Sequence, residues 1–130
     1  MISITSKSPY AISALVELHH FGDRAPVALA ELARRRGIPP QFLEQLFAVL
    51  RRAGLLRSQR GVKGGYAFAK PAEEITVLEV VELLDGPVGA GASGLFDEAA
   101  SAARAVLAAS TVAEVAEAEA SASPAPMYHI

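Results

Sequence analysis

Along most of this chain apolar positions recur three and four residues apart, and each run is closed by glycine or proline, the signature of short amphipathic helices. Ser8 stands as a cap residue before Pro9 at a first helical position, and the helix is expected to run through AISALVELHHF to Gly22. Tyr10, Ala14, Leu18 and Phe21 form its apolar stripe and are expected in the core. Ala25-Pro26-Val27 reads as a short extended piece before a second helix, LAELARRR, which Gly37 ends; Leu29, Leu32 and Ala33 supply its buried side. A third helix begins after Pro39-Pro40 and stops before Gly54, with its inward stripe among Phe42, Leu43, Leu46, Phe47, Val49 and Leu50.

The period then changes. Leu55-Leu56 reads as a short apolar strand, Ser58 to Gly65 as a basic loop with three glycines, and YAFAK from Tyr66 as the return strand. Two helices joined by a Gly-containing turn and followed by a hairpin make a winged helix-turn-helix, in which the second helix of the motif is the reader. Thr76-x-x-Glu79 is a capping box opening a helix to Asp85, whose Leu78, Val81 and Leu84, with Ile75, lean on the winged domain. Val88 to Gly94 is a Gly/Ala-rich loop with little capacity to pack.

From Leu95 a longer helix places Leu95, Phe96, Ala99, Ala103, Val106 and Leu107 on one side. An apolar stripe beyond a complete small domain needs a partner, and a symmetric pair is the commonest solution, so this is read as a dimerisation helix. Thr111-x-x-Glu114 caps a last helix from Val112 to about Ala120, followed by a Ser/Ala/Pro spacer and the apolar end Met127-Tyr128-His129-Ile130. The expected fold is mainly α with a small β wing. Its expected division is a DNA-binding domain over 1–87, a loop over 88–94, the dimerisation and short C-terminal helices over 95–122, and a tail over 123–130.

Charge changes the picture more than composition does. The chain is 52% hydrophobic with a mean hydropathy of +0.30, enough to bury a core, and no apolar run approaches the ~20 residues of a membrane span. The N-terminus lacks the apolar stretch of a signal peptide, so a cytoplasmic protein is expected. The net charge of −2 conceals a strong division. Between Arg34 and Lys70 nine cations (Arg34, Arg35, Arg36, Arg51, Arg52, Arg57, Arg60, Lys63 and Lys70) face Glu44 alone, whereas from Pro71 onward Arg104 faces ten acids. A positive centre in an acidic chain points to one polyanion-binding face. A single such cluster is more often a solvated surface, and for Arg34 to Arg36 the negative end of a helix is a sufficient structural reason.

The candidate chemistry is recognition. Gln41, Glu44 and Gln45, at i, i+3 and i+4 of the expected reading helix, share one surface; glutamine can bond adenine and glutamate can accept from the cytosine amino group. In the loop, Arg60 and Lys63 offer cations to phosphates or a narrow minor groove, and Gly64 and Gly65 before Tyr66 permit close backbone approach. Walker-type spacing is absent. There is no cysteine, which excludes disulfides and thiolate-held clusters, and His19, His20 and His129 form no metal-ligand spacing, so no metal or cofactor is expected. No nucleophile–base pair stands out, so an enzyme is not expected.

FLEQLF, LRRAGLL, RGxxGGY and EITVxEVxxLLDGP together resemble the Rrf-two family of bacterial winged-helix transcription regulators, over nearly the whole chain. The resemblance implies a homodimeric repressor on partly palindromic double-stranded DNA, with the helix from Pro40 in the major groove and the loop at Arg60 in the minor groove. Gln41, Glu44 and Gln45 match base-reading positions, Arg60 the wing arginine, and Gly64, Gly65 and Tyr66 the wing turn. Many members hold an iron-sulphur cluster on three cysteines where this chain has GPVGAGASGLF, and Pro39 replaces the serine that often caps the reading helix. Among clusterless relatives the chain is similar to cysteine-metabolism repressors in ASTVAEVAEAEA and in an end resembling MYHI. Such repressors act with cysteine synthase, an enzyme that binds peptides ending in isoleucine. This implies a tail in which the Ile130 carboxylate mimics a substrate and Tyr128 fills the mouth, with His129 between them. The alternatives are a tail packed on its own dimer, or a module that regulates an enzyme without reading DNA.

Overall fold

The structure, a computed structural model, describes residues 4–122. Helix α1 (Lys7–Phe21) is followed by a 3-10 turn (Gly22–Arg24), α2 (Leu29–Arg36) and α3 (Pro40–Arg52). The wing strands β1 (Leu56–Gln59) and β2 (Gly65–Phe68) come next, then α4 (Val77–Asp85), α5 (Leu95–Ala108) and α6 (Val112–Ala122). No helix among the described residues is long and apolar enough to cross a membrane.

α1 is the hub, packing against α2, α4 and α6. Leu15 and Leu18 of α1, Leu32 of α2, Leu43, Phe47 and Leu50 of α3, Ile75, Val80 and Val112 meet in one buried cluster. Each such side chain contributes about 1.5–3 kcal/mol through the apolar surface it removes from water. α6, far along the chain, thereby closes over the first helix instead of extending away from it.

Several boundaries differ from the sequence expectation. α1 begins two residues before Pro9, and Ser8 does not cap it: its side chain is buried and donates to Asp85 Oδ2 at 2.5 Å, while the Thr5 hydroxyl donates to Asp85 Oδ1 at 2.5 Å. Proline is tolerated throughout the first turn, where the N–H groups have no intrahelical acceptor, so Pro9 does not mark the first residue. Tyr10 is exposed, with its ring edge-on to Phe42 at 5.6 Å, because the inward face of α1 lies one residue along, at Ala11, Ala14, Leu15 and Leu18. At Thr76 only half of the capping box forms: Thr76 Oγ1 accepts from the Glu79 N–H, but the Glu79 carboxylate is drawn to Lys70 Nζ at 3.2 Å. The box at Thr111 is complete, with reciprocal bonds of 3.1 and 2.9 Å to Glu114. The 88–94 loop does pack at its start, since Val88 is buried and donates its N–H to Glu82 Oε2.

α5 stands apart from the central cluster and leans on α4. Its one buried residue is Ala100, against Gly89, and Arg104 pairs with Glu82. Of the six residues on the expected dimerisation stripe, Leu95, Phe96, Ala99 and Val106 are exposed, whereas Ala103 and Leu107 are half-buried.

Candidate nucleic-acid interface

α2 ends because Gly37 takes a left-handed conformation (φ 64°), which lets Ile38 N–H reach back to the Ala33 carbonyl at 2.9 Å and turns the chain sharply. Ile38 is buried in that turn, and Pro39 and Pro40 launch α3 at an angle to α2. No side chain caps α3, and Pro40 at its first position lacks the N–H that would otherwise need one.

At 100° per residue, Leu43, Leu46, Phe47 and Leu50 fall on one side of α3, and all four are buried. Gln41, Glu44 and Gln45 fall opposite and are exposed. None of these three side chains has a hydrogen-bond or ion-pair partner among the described residues. An N-terminal helical turn carrying exposed, unpartnered amide and carboxylate groups has the chemistry that base-edge recognition requires.

The wing is longer than the expected Leu55-Leu56. Leu56, Arg57, Ser58 and Gln59 pair antiparallel with Phe68, Ala67, Tyr66 and Gly65, and Leu55 lies just outside the strand. Val27 adds a third chain, its N–H and carbonyl bonding the Tyr66 carbonyl and N–H at 2.9 and 2.8 Å. The extended piece foreseen at Val27 thus anchors the wing to the start of α2. The Tyr66 ring stands edge-on to Phe47 at 5.1 Å, which joins the hairpin to the inward face of α3. α3 and the wing are therefore one packed unit.

The hairpin tip, from Arg60 to Gly64, closes with a Gly64 N–H bond to the Gly61 carbonyl at 3.0 Å. Arg60 and Lys63 are exposed there without an internal partner among the described residues.

The basic segment is not one surface. Arg34 and Arg35 both bond Glu31, at 2.6 and 2.7 Å, and these two hydrogen bonds hold the Glu31 carboxyl at about 2. Arg36 donates to Glu17 at 2.8 Å and grips both oxygens of Glu119 on α6 at 2.8 and 2.9 Å. Lys70 pairs with Glu79. Four of the nine cations are thus neutralised within the fold. Arg51, Arg52, Arg57, Arg60 and Lys63 have no such partner among the described residues. For Arg34 and Arg35 the signal is local, since Glu31 precedes them by three and four positions on one helix; for Arg36 and Lys70 it is absent, because Glu17, Glu119 and Glu79 come from other elements.

Tyr128, His129 and Ile130 lie outside the described residues. The chain contains no cysteine, and the described residues include no group of three or more His, Asp or Glu side chains placed to hold a metal ion. A thiolate-held iron-sulphur cluster does not fit a chain without cysteine, and the described residues offer no donor set for an iron ion.

A helix-turn-helix whose second helix is braced by a two-stranded hairpin defines a winged helix-turn-helix protein. The family described as Rrf2, iron-dependent transcriptional regulators, matches residues 4–118, and the chain belongs to that Rrf2 (Rrf-two) family. It is 44% identical over 87 residues to the HTH-type transcriptional regulator IscR of Photorhabdus laumondii, covering 67% of this chain and 53% of that protein. To IscR of Cereibacter sphaeroides it is 45% identical over 101 residues, covering 72% and 64%. The chain thus spans between about half and two thirds of the length of these relatives. Among solved structures it resembles CymR, the global cysteine regulator of B. subtilis, with a TM-score of 0.80 and 28% identity over 90% of this chain and 98% of that one. T. potens IscR matches with a TM-score of 0.79 and 29% identity, over 98% and 96%. These relatives are transcriptional regulators.

Proposed function

We propose that this chain is a dimeric DNA-binding repressor whose α3 enters the major groove while the wing tip lies along the minor groove. The observation that carries the reading is the pair of unpartnered surfaces on one rigid unit: Gln41, Glu44 and Gln45 on α3, and Arg60 and Lys63 on the hairpin, joined through Phe47 and Tyr66. Gln41 and Gln45 pair with adenine edges, and Glu44 accepts from a cytosine amino group. Arg60 and Lys63 meet phosphates, and Gly64, Gly65 and Tyr66 hold the tip in place.

Supporting dimerisation is the exposed apolar side of α5, where Leu95, Phe96, Ala99 and Val106 face outward, with Ala103 and Leu107 beside them. With no cysteine in the chain, the signal is not a thiolate-held cluster, and regulation runs through the acidic C-terminal half. The likeness to a solved global cysteine regulator over 98% of its length supports cysteine metabolism as the controlled process. Cysteine synthase as the partner of Tyr128, His129 and Ile130 rests on the sequence of the MYHI end alone.

Gel retardation on the DNA upstream of the chain's own gene, at several salt concentrations, tests the reading. Binding should weaken steeply with salt, and Arg60→Ala should lower affinity about tenfold, the worth of a charge-assisted hydrogen bond of about 1.5 kcal/mol, without changing oligomeric state. No retardation, or binding indifferent to salt, overturns it. Deleting residues 127–130 should spare DNA binding and abolish co-purification with cysteine synthase.

A further inference from the structure

We infer that α3 carries a second binding zone at its far end, where Arg51 and Arg52 hold the DNA backbone, and that the denser basic run Arg34 to Arg36 takes no part in binding. The inference rests on the proposal that α3 enters the major groove.

Arg51 and Arg52 lie on the same face of α3 as the three residues proposed to read bases. Ala48 follows Glu44 and Gln45 by four and three positions, and Arg51 and Arg52 follow Ala48 by three and four, so the face runs unbroken from Gln41 to Arg52. Ala48 is the only residue between the two polar ends, and its methyl group lets the helix approach the groove floor without a protruding side chain. At 1.5 Å per residue Arg52 stands ~16 Å along the axis from Gln41. The major groove is about 12 Å wide, so side chains that far along reach its wall, where the phosphates are, and not the base edges.

Two observations separate this zone from an ordinary basic helix end. Both arginines are exposed and without an ion-pair partner among the described residues, whereas Arg34, Arg35 and Arg36 are each bonded to a carboxylate. The last carbonyls of α3 are also already satisfied by backbone: Val49, Leu50 and Arg51 accept from the N–H groups of Ala53, Leu55 and Gly54 at 3.1, 3.0 and 3.0 Å. Neither guanidinium is needed to close the helix, and both remain available to an outside anion. Glu44, the one acid on this face, sits a full turn and more away, beside the glutamines.

The test uses the full chain and two duplexes of equal length, one from upstream of its own gene and one of scrambled sequence, with affinity measured across a range of salt. Arg51→Gln combined with Arg52→Gln should weaken binding to both duplexes by the same factor. It should also flatten the log–log salt dependence by about 0.9 for each phosphate no longer neutralised, about 3.6 for two arginines in each of two protomers. Lysine at both positions should restore the slope. Arg34→Gln, which removes one charge from the neighbouring run, should leave the slope unchanged, whereas a phosphate-binding arginine lost from both protomers would lower it by about 1.8. An unchanged slope in the double variant, or a slope lowered by about 1.8 in Arg34→Gln, overturns the inference. A lowered melting temperature with an unchanged slope overturns it as well, because the arginines then serve the helix dipole. If the unaltered chain binds neither duplex, the repressor reading fails instead. If it binds and Arg60→Ala weakens it while the double variant does not, the far-end zone alone is refuted and the repressor reading stands.

Discussion

A methyl group at position 65 would sit 2.2 Å from the Val27 carbonyl oxygen and 2.7 Å from the Ala28 nitrogen, distances that only a shift of backbone could relieve. Gly65 also takes φ 152°, which side-chain-bearing residues rarely adopt. Gly65→Ala must therefore displace Val27 from β2 or push the wing off α3, and either route breaks the paired bonds between Val27 and Tyr66. Urea titration should show a loss of about 2 kcal/mol, the usual cost of overpacking against a rigid neighbour, and DNA affinity should fall with it. An unchanged midpoint would mean that Val27 and the wing are less tightly joined than the bridge indicates. Gly64 and Gly65 are legible in sequence as points of close approach, and what Gly64 meets, Gln59 across its own hairpin, is local. What Gly65 approaches is not legible, because Val27 is distant in the chain and only the fold brings it under the hairpin.

At the scale of elements, the junction of α2 with α6 is the clearest case of a surface that sequence assigns to solvent and the fold assigns to itself. Arg36 lies one turn before the reading helix, yet its guanidinium spans Glu17 on α1 and Glu119 on α6. Hydrogen bonds from Arg36 hold the Glu119 carboxyl below its ordinary value of 4.5, against a smaller effect of burial. A carboxyl whose value is lowered by folding stabilises the folded chain while ionised. That contribution is complete above 4.5 and is lost as pH falls through the lowered value. Asp85 behaves in the same sense: partial burial opposes its charge, but hydrogen bonds from Ser8 and Thr5 prevail and its carboxyl is also held low. Glu119→Gln should cost about 1 kcal/mol at neutral pH, the upper end for an ion pair that water partly screens. That is about 4 °C in melting temperature, and the deficit should shrink as the medium is acidified below about pH 5. A deficit that does not shrink on acidification would show that the loss does not come from the ionised Glu119 carboxylate. The helices themselves were legible: the stops at Gly22, Gly37 and Gly54 and the box at Thr111 all stand where the pattern puts them. Their pairing was not, since an apolar face specifies burial without naming the surface that buries it, and α6 turns back to α1.

For the molecule as a whole, the same ambiguity bears on α5. One side of this helix is used within the chain, through Ala100 on Gly89 and Arg104 on Glu82. The other side leaves Leu95, Phe96 and Val106 exposed at 74%, 64% and 69%. Leu95, Ala99 and Val106 lie at i, i+4 and i+11, a continuous strip along the helix. Leaving three large side chains in water forgoes several kcal/mol of burial, a deficit that the proposed dimer would remove by having a second copy meet the same strip across a two-fold axis. In such an isologous interface every substitution appears twice and faces itself. In the proposed dimer Val106→Glu should therefore place two carboxylates together in an apolar seam, leaving a monomer by sedimentation equilibrium where the unaltered chain is a dimer. Because Val106 touches little in its own chain, the stability of the monomer should change by no more than about 0.5 kcal/mol. DNA affinity should collapse in parallel, as each protomer would then grip one half-site alone. A Val106→Glu chain that still sediments as a dimer would remove α5 from the interface and move the two-fold axis elsewhere on the surface.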